Sequence, residues 1–249
     1  MKDKVKQVWE ELRNYVNKFN VVSKTELLAK INELLFSLFT DKEREQMESE
    51  FSMKPTLFFF ESIVGETPHS VYSPHLSEKD SFQGETFYHS HTYPAKEEDI
   101  KKSYERLEEI KLNATTNILK NILEKAGYQL KTENKKIFAK KPGYTLKCII
   151  STNPETVKYE IQKSPHEYKE TVIIIPTGSS ISPFKKLYKE SNKLLDNQTI
   201  IWVANIQNHS LSPFIGVYPG EKKDKELAKH FEKPELASRI SSTWKTEIN

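Results

Sequence analysis

Near the start of the chain, apolar side chains fall at Val5, Val8, Trp9, Leu12, Tyr15, Val16 and Phe19. Steps of three and four residues line them along one face of an amphipathic helix over residues 4–19. Ser23 then opens Ser-Lys-Thr-Glu, a capping box with Glu26, in which hydroxyl and carboxylate satisfy exposed backbone N–H groups at a helix start. The helix that follows is expected to bury Leu27, Leu28, Ile31, Leu34, Leu35 and Leu38. Thr40 opens a second box, ending at Glu43, and a short polar helix to about Phe51. At Pro55 the pattern changes. TLFFFESIV is aromatic and β-prone, which predicts a buried strand. A stretch rich in turn formers follows, with SVY as a short strand, and then TFYHSHTYP as a strand ended by Pro94. Residues 95–126 carry a long apolar stripe from Ile100 to Leu123, predicting a helix that bends near Asn113 and stops at Gly127.

Beyond Gly127 the pattern alternates. YQLKTE, KIFAKK and TLKCIIS read as three strands joined by turns at Asn134 and Pro142-Gly143. Residues 154–169 fit helix and strand equally. TVIIIPT is a strand central to a sheet, PFKKLYKESNKLL an amphipathic helix, TIIWVANI a second buried strand and LSPFIGVYP an edge segment. The tail from Asp224 is helical with a break at Pro234. The SPF shared by SISPFKKLY and SLSPFIGVY is too short for a repeat. The expected class is α/β: a mixed sheet with helices on its faces, preceded by a helical N-terminal region with a few strands. The expected domains are residues 1–94 and 95–249.

Charge changes the picture more than composition does. Residues 127–249 hold 20 Lys+Arg and 13 Asp+Glu, a net +7, whereas residues 1–126 hold 18 and 22, a net −4. An acidic front and basic back point to a polyanionic partner for the second part. Only 7 glycines occur, and neither GxGxxG nor GxxxxGK[ST] is present, so the common nucleotide-phosphate loops are excluded. The lone cysteine, Cys148, excludes an intrachain disulfide and reads as a small core residue. No apolar run approaches the ~18 residues of a membrane helix, and the opening residues form an amphipathic helix without the apolar core of a signal peptide. A cytoplasmic protein that does not enter membranes is expected.

Lys131, Lys135, Lys136, Lys140, Lys141 and Lys147 fall within LKTENKKIFAKKPGYTLK, interleaved with Phe138 and Tyr144. Such lysines neutralise phosphates and gain affinity from counterion release, and an aromatic ring beside them stacks on a base. The same pattern also serves to protect an edge strand. The order helix, three strands, linker, strand, helix, strand resembles the restriction-endonuclease-like (PD-(D/E)XK) nucleases over roughly residues 103–210, with LEKAGYQLKTENKKIFAKKPGYTLKCIIS in the place of that family's first three strands. The resemblance implies a nuclease-type sheet. However, KKIFAKK lacks the metal-binding Asp of that family's second strand, and TLKCIIS lacks the Glu-x-Lys of its third. Nucleic-acid binding without catalysis is therefore the expectation. In PTGSSISPF, Thr177, Ser179, Ser180 and Ser182 surround a helix start, where exposed N–H groups attract anions and where Ser182 also serves as a cap before Pro183.

His89 and His91 stand two apart in TFYHSHTYP; on one strand both imidazoles share a face, as two ligands of one metal would. FYHSHTYPAKEEDI resembles the HSHP…S-x-x-D segment of JAMM-type metalloproteases. The resemblance implies zinc held by His89, His91 and Asp99, with Glu61 or Glu50 as the residue that activates water. Thr92 and Lys96 stand where that segment has Pro and Ser. A zinc-dependent hydrolase is thus the first alternative function. A protein–protein module, recruiting a partner or self-associating through the acidic N-terminal helices, is the second.

Overall fold

The computed structural model describes residues 1–65, 73–163, 171–178, 182–190, 199–218 and 223–240. The chain divides into two compact units, Met1–Glu108 and Glu109–Asn249. The division falls inside a long helix, α5 (Glu97–Lys125), rather than ahead of it at residue 94. The cause is visible in what the two ends of that helix do. Tyr104 packs edge-on against Phe82 and Arg106 pairs with Glu26, all in the first unit. From Ile118 onward the helix feeds the core of the second unit.

The first unit opens with α1 (Lys2–Phe19), β1 (Val21–Ser23), α2 (Lys24–Leu38) and α3 (Asp41–Phe51). The α1 stripe folds as its spacing demands: Val8, Trp9, Leu12 and Val16 are buried, with Val5, Tyr15 and Phe19 against them. Both capping boxes form, at Ser23/Glu26 and at Thr40/Glu43.

Residues of TLFFFESIV are helical, as α4 (Pro55–Val64), and not a strand. The apolar run is broken only at Glu61 and Ser62, too short a pattern to fix a period, so burial alone does not choose between the two. Pro55 at the first helical position supplies a preset φ for helix entry. The helix sends Phe59, Phe60 and Ile63 to the core and leaves Leu57 outward. There Phe59 meets Trp9 at 4.6 Å between ring centroids, and Phe51 stacks on Phe58 at 3.9 Å. SVY lies outside the described residues.

β2 (Glu78–Phe82) and β3 (Glu85–His89) complete a three-stranded antiparallel sheet in the order β1-β3-β2. The central strand β3 is the first half of TFYHSHTYP; β2 is a charged edge without apolar alternation.

Glu26 does two jobs in this unit. As the third helical residue of α2 it closes the capping box. Its fully buried carboxylate also accepts the Tyr15 hydroxyl at 2.5 Å and two Arg106 N–H groups at 2.6 and 3.1 Å. Arg106 further donates to the Val21 carbonyl at 2.7 Å, and its guanidinium lies 4.0 Å from the Phe19 ring centroid. Burial, with the Glu26 charge beside it, pushes the Tyr15 hydroxyl's pKa up, so the phenol stays a donor.

The second unit is a six-stranded mixed sheet in the order β4-β5-β6-β7-β8-β9. Gly127, at φ 84, ends α5 in the left-handed conformation, and the Tyr128 N–H reaches back to the Leu123 carbonyl at 3.0 Å. The chain then runs through β4 (Gln129–Glu133), β5 (Lys136–Lys141) and β6 (Tyr144–Ile150) as an antiparallel meander. α6 (Pro154–Lys163), β7 (Thr171–Pro176), α7 (Ser182–Glu190) and β8 (Ile200–Asn205) follow, so β6, β7 and β8 run parallel. β9 (Ser210–Ile215) adds antiparallel to β8 as the edge, and a short α8 (Lys225–Ala228) follows. The ambiguous residues 154–163 are helical; 164–169 lie outside the described residues.

Alternation sends the two sides of each strand to different cores. One face of the sheet packs the end of α5, with Ile137, Leu146, Cys148, Ile174, Trp202, Leu227 and Phe231. The other packs α6 and α7 through Val157, Ile161, Phe184 and Leu187 against Ile149, Ile173, Ile175 and Ile201. The expected α/β class is what the structure shows. Among the described residues, no helix is long and apolar enough to cross a membrane.

Arg106→Ala leaves the Glu26 carboxylate buried with its counter-charge gone. Breaking such a pair costs about 3–5 kcal/mol. Urea unfolding followed by circular dichroism should show a loss of this size. A loss under about 1 kcal/mol, the range of surface pairs, would show that the network is not holding the first unit.

Candidate functional site

The two histidines of TFYHSHTYP part company at the end of β3. His89 is its last residue and is buried; a turn then begins, with the Tyr93 N–H on the Ser90 carbonyl at 2.9 Å, and His91 is exposed. His89 Nδ1 donates to the Tyr93 carbonyl at 2.9 Å, because a carbonyl only accepts. Its Nε2 lies 3.1 Å from Asp80 Oδ2, on β2. Asp99, the third expected ligand, caps α5 by accepting the Lys96 N–H at 3.0 Å. Burial, with the Asp99 carboxylate beside it, pushes the Tyr93 hydroxyl's pKa up. Of the two expected base residues, Glu50 accepts from Gln46 and Glu61 sits on the exposed surface of α4. Among the described residues, no group of three or more His, Cys, Asp or Glu is arranged to hold a metal ion. The expected zinc site of His89, His91 and Asp99 is therefore corrected. The strand is shorter than its aromatic pattern suggests, so the shared-face geometry ends before His91. His69 and His166, like Ser179 and Ser180 of the serine-rich helix start, lie outside the described residues.

The lysine-rich hairpin is sorted by its register. Lys131 of β4 stands opposite Phe138 of β5, which stands opposite Lys147 of β6. On either side of this row run Glu133–Lys136–Ile149 and Gln129–Lys140–Thr145. Five of the eight expected residues, Lys131, Lys136, Phe138, Lys140 and Lys147, thus share one face of the meander. Four lysines stand there against one glutamate, Glu133, which pairs with Lys131 at 2.6 Å. Lys131 and Lys140 are exposed; Lys136, Phe138 and Lys147 are half-exposed. Lys135 sits in the β4–β5 turn, its carbonyl accepting the Ile150 N–H at 2.9 Å.

Lys141 and Tyr144 point to the opposite face and serve the fold. Lys141 Nζ is 2.6 Å from Asp224 Oδ2, donates to the Ala126 carbonyl at 3.0 Å, and lies 4.5 and 5.0 Å from the Tyr128 and Tyr144 ring centroids. The Tyr128 hydroxyl reaches the same Asp224 oxygen at 2.6 Å, and Asp224 Oδ1 caps α8 through the Leu227 N–H at 3.3 Å. Burial by itself would raise the Asp224 pKa, but the hydrogen bonds from Lys141, Tyr128 and Leu227 hold it below the usual carboxylate range. Burial and the Asp224 carboxylate push the Tyr128 hydroxyl up. Cys148 stands opposite Ile137 on this inner face; burial pushes its thiol up to about 12, which leaves it an unreactive core residue. Sequence reasoning does not single out Asp224. Its place ahead of KELA is a cap signal, but no spacing points from it to Lys141.

The fold and this cluster define a mixed α/β sheet domain closed by a buried Lys–Asp–Tyr network, with a basic aromatic face on its antiparallel side. Residues 105–233, more than half of the chain, match the family described as the C-terminal domain of DUF6834, a domain of unknown function. The chain belongs to this family. No curated protein matches the chain. The matched span holds all six strands of the second sheet, the basic face and the Lys141–Asp224 cluster.

Asp224 makes stability depend on pH in a definite direction. A carboxylate whose folded pKa is depressed stabilises fully above its unfolded pKa, about 3.9, and loses that contribution as pH falls through the folded value. Asp224→Asn should cost about 3 kcal/mol at neutral pH, by leaving Lys141 buried without its partner. It should also flatten the decline in stability below about pH 4. Thermal unfolding of both proteins across this range measures the two effects together.

Proposed function

We propose that this is a cytoplasmic, non-catalytic nucleic-acid-binding protein that uses the outer face of β4, β5 and β6. The observation that carries the reading is the cross-strand row Lys131–Phe138–Lys147, with Lys136 and Lys140 on the same face. Directly opposed side chains on adjacent strands lie about 5 Å apart. A half-exposed phenyl ring between two ammonium groups offers a base its stacking surface and the flanking phosphates their counter-charges. Two further points support it. The resemblance to restriction-endonuclease-like nucleases rests on a helix, three strands, a linker, a strand, a helix and a strand, and α5, β4, β5 and β6, then β7, α7 and β8 after the linker, keep to that succession. On the same face of these strands the acidic residue is Glu133 alone, tied to Lys131, so paired carboxylates for a phosphoryl-transfer metal are absent there.

The test is gel retardation of single-stranded DNA, double-stranded DNA and RNA across a salt series. Each lysine that meets a phosphate contributes about 0.7–0.9 to the slope of log affinity against log salt. Removing Lys131, Lys140 and Lys147 together should flatten the slope by about 2. Phe138→Ala should weaken single-strand binding by at least about fivefold with the slope kept. Retardation that is absent, or that ignores salt, rejects the reading.

A further inference from the structure

The second unit holds a cavity of about 420 Å³ on the sheet face that α7 covers. Val203 and Phe214 of β8 and β9 form its floor, Phe184 of α7 one wall, and Leu236 and Ile240 another. This volume lies within the roughly 300–1,000 Å³ of small-molecule sites. Thr177 and Asn205, also in its lining, stand at the carboxyl ends of the parallel strands β7 and β8. That is the end of an open α/β sheet at which small molecules bind.

The polar groups in the lining indicate what sort of molecule fits. Glu232 takes the Ser210 hydroxyl, and Asn205 Oδ1 accepts the N–H groups of Gln207 and Asn208 at 3.1 and 3.2 Å. The backbone N–H of Thr177 is bonded to the Ala204 carbonyl at 2.8 Å. Three charged residues in the lining are exposed: Glu232, whose charge the neutral Ser210 hydroxyl leaves in place, and Lys185 and Lys233, with neither of which a carboxylate pairs among the described residues. By contrast the neighbouring Lys186 faces Glu155 at 3.8 Å. The lining is otherwise mainly apolar, and its exposed charges, two lysines against one glutamate, leave it net cationic.

We infer that this cavity binds a small anionic amphiphile: an aromatic or alkyl body of modest size carrying one carboxylate or sulfonate group. Val203, Phe184, Phe214, Leu236 and Ile240 take the body out of water. Lys185 and Lys233 meet the anionic group where it remains in contact with solvent, so no charge has to be buried. The site is independent of the basic β4–β6 face, to which none of these residues belongs.

Two fluorescent probes that differ in one group test this: 8-anilinonaphthalene-1-sulfonate and its uncharged parent, N-phenyl-1-naphthylamine. Both are titrated into the full chain, with sodium decanoate as competitor. The sulfonate should bind with enhanced fluorescence and be displaced by decanoate. Lys185→Ala with Lys233→Ala, both on the surface, should weaken the sulfonate by about tenfold, the value of one charge-assisted contact. The uncharged parent should shift by less than about twofold. Val203→Trp, which fills the floor, should abolish both, provided circular dichroism shows the wild-type spectrum; if it does not, the lysine pair decides alone. Absence of sulfonate binding, sulfonate binding indifferent to the lysine pair, or full binding by a folded Val203→Trp protein each overturns the inference.

Discussion

The second unit is held closed by one buried charge pair. Lys141 ends β5 and Asp224 precedes α8, far apart in the chain, and each is expensive to take out of water alone. The pair is sustained because its remaining hydrogen-bonding capacity is filled. The Ala126 carbonyl and two tyrosine rings surround the ammonium, and the Tyr128 hydroxyl and Leu227 N–H complete the carboxylate. The result is a fixed anchor for the segment that carries Leu227 and Phe231 into the core, where Phe231 meets Trp202 edge-on at 5.0 Å. Without that anchor, one face of the sheet would lose its C-terminal cover.

The first unit reaches a similar solution by another route. Glu26 would be an ordinary capping residue but for Arg106, which arrives from α5 and turns a local helix signal into a tertiary link. In both units a helix cap and a buried ion pair share one carboxylate. Helix termination and tertiary closure are thereby coupled, and each is hard to vary alone.

What is legible in the sequence follows from the range of each interaction. Helical stripes, capping boxes, the Gly127 stop and the succession of six strands along the chain depend on neighbours within a few residues, and the structure matches them. TLFFFESIV misleads because an apolar run broken only at Glu61 and Ser62 is too short to fix a period, so the choice between helix and strand falls to packing against Trp9 and Phe51. TFYHSHTYP misleads because the end of the strand is decided by a turn that Tyr93 closes. The lysines carry more information than their number suggests: Lys140 and Lys141 are adjacent in a strand, so they have to face opposite sides. Asp224 is not legible, since its partner comes from a distant strand and leaves no local trace.

The position of the division within α5 has a practical consequence. Glu97–Lys125 is one uninterrupted helix whose early turns carry Tyr104 and Arg106 for one core and whose late turns carry Ile118 to Leu123 for the other. The match to the family begins at residue 105, one position ahead of Arg106. A fragment cut at that border, or at the expected domain boundary after Pro94, takes the guanidinium away from Glu26. An excised C-terminal piece would keep its own core intact, while the N-terminal remainder would be left with a stranded anion. Dissecting this protein therefore calls for a first-unit fragment that extends past Glu108, with the helix shared by overlap rather than divided.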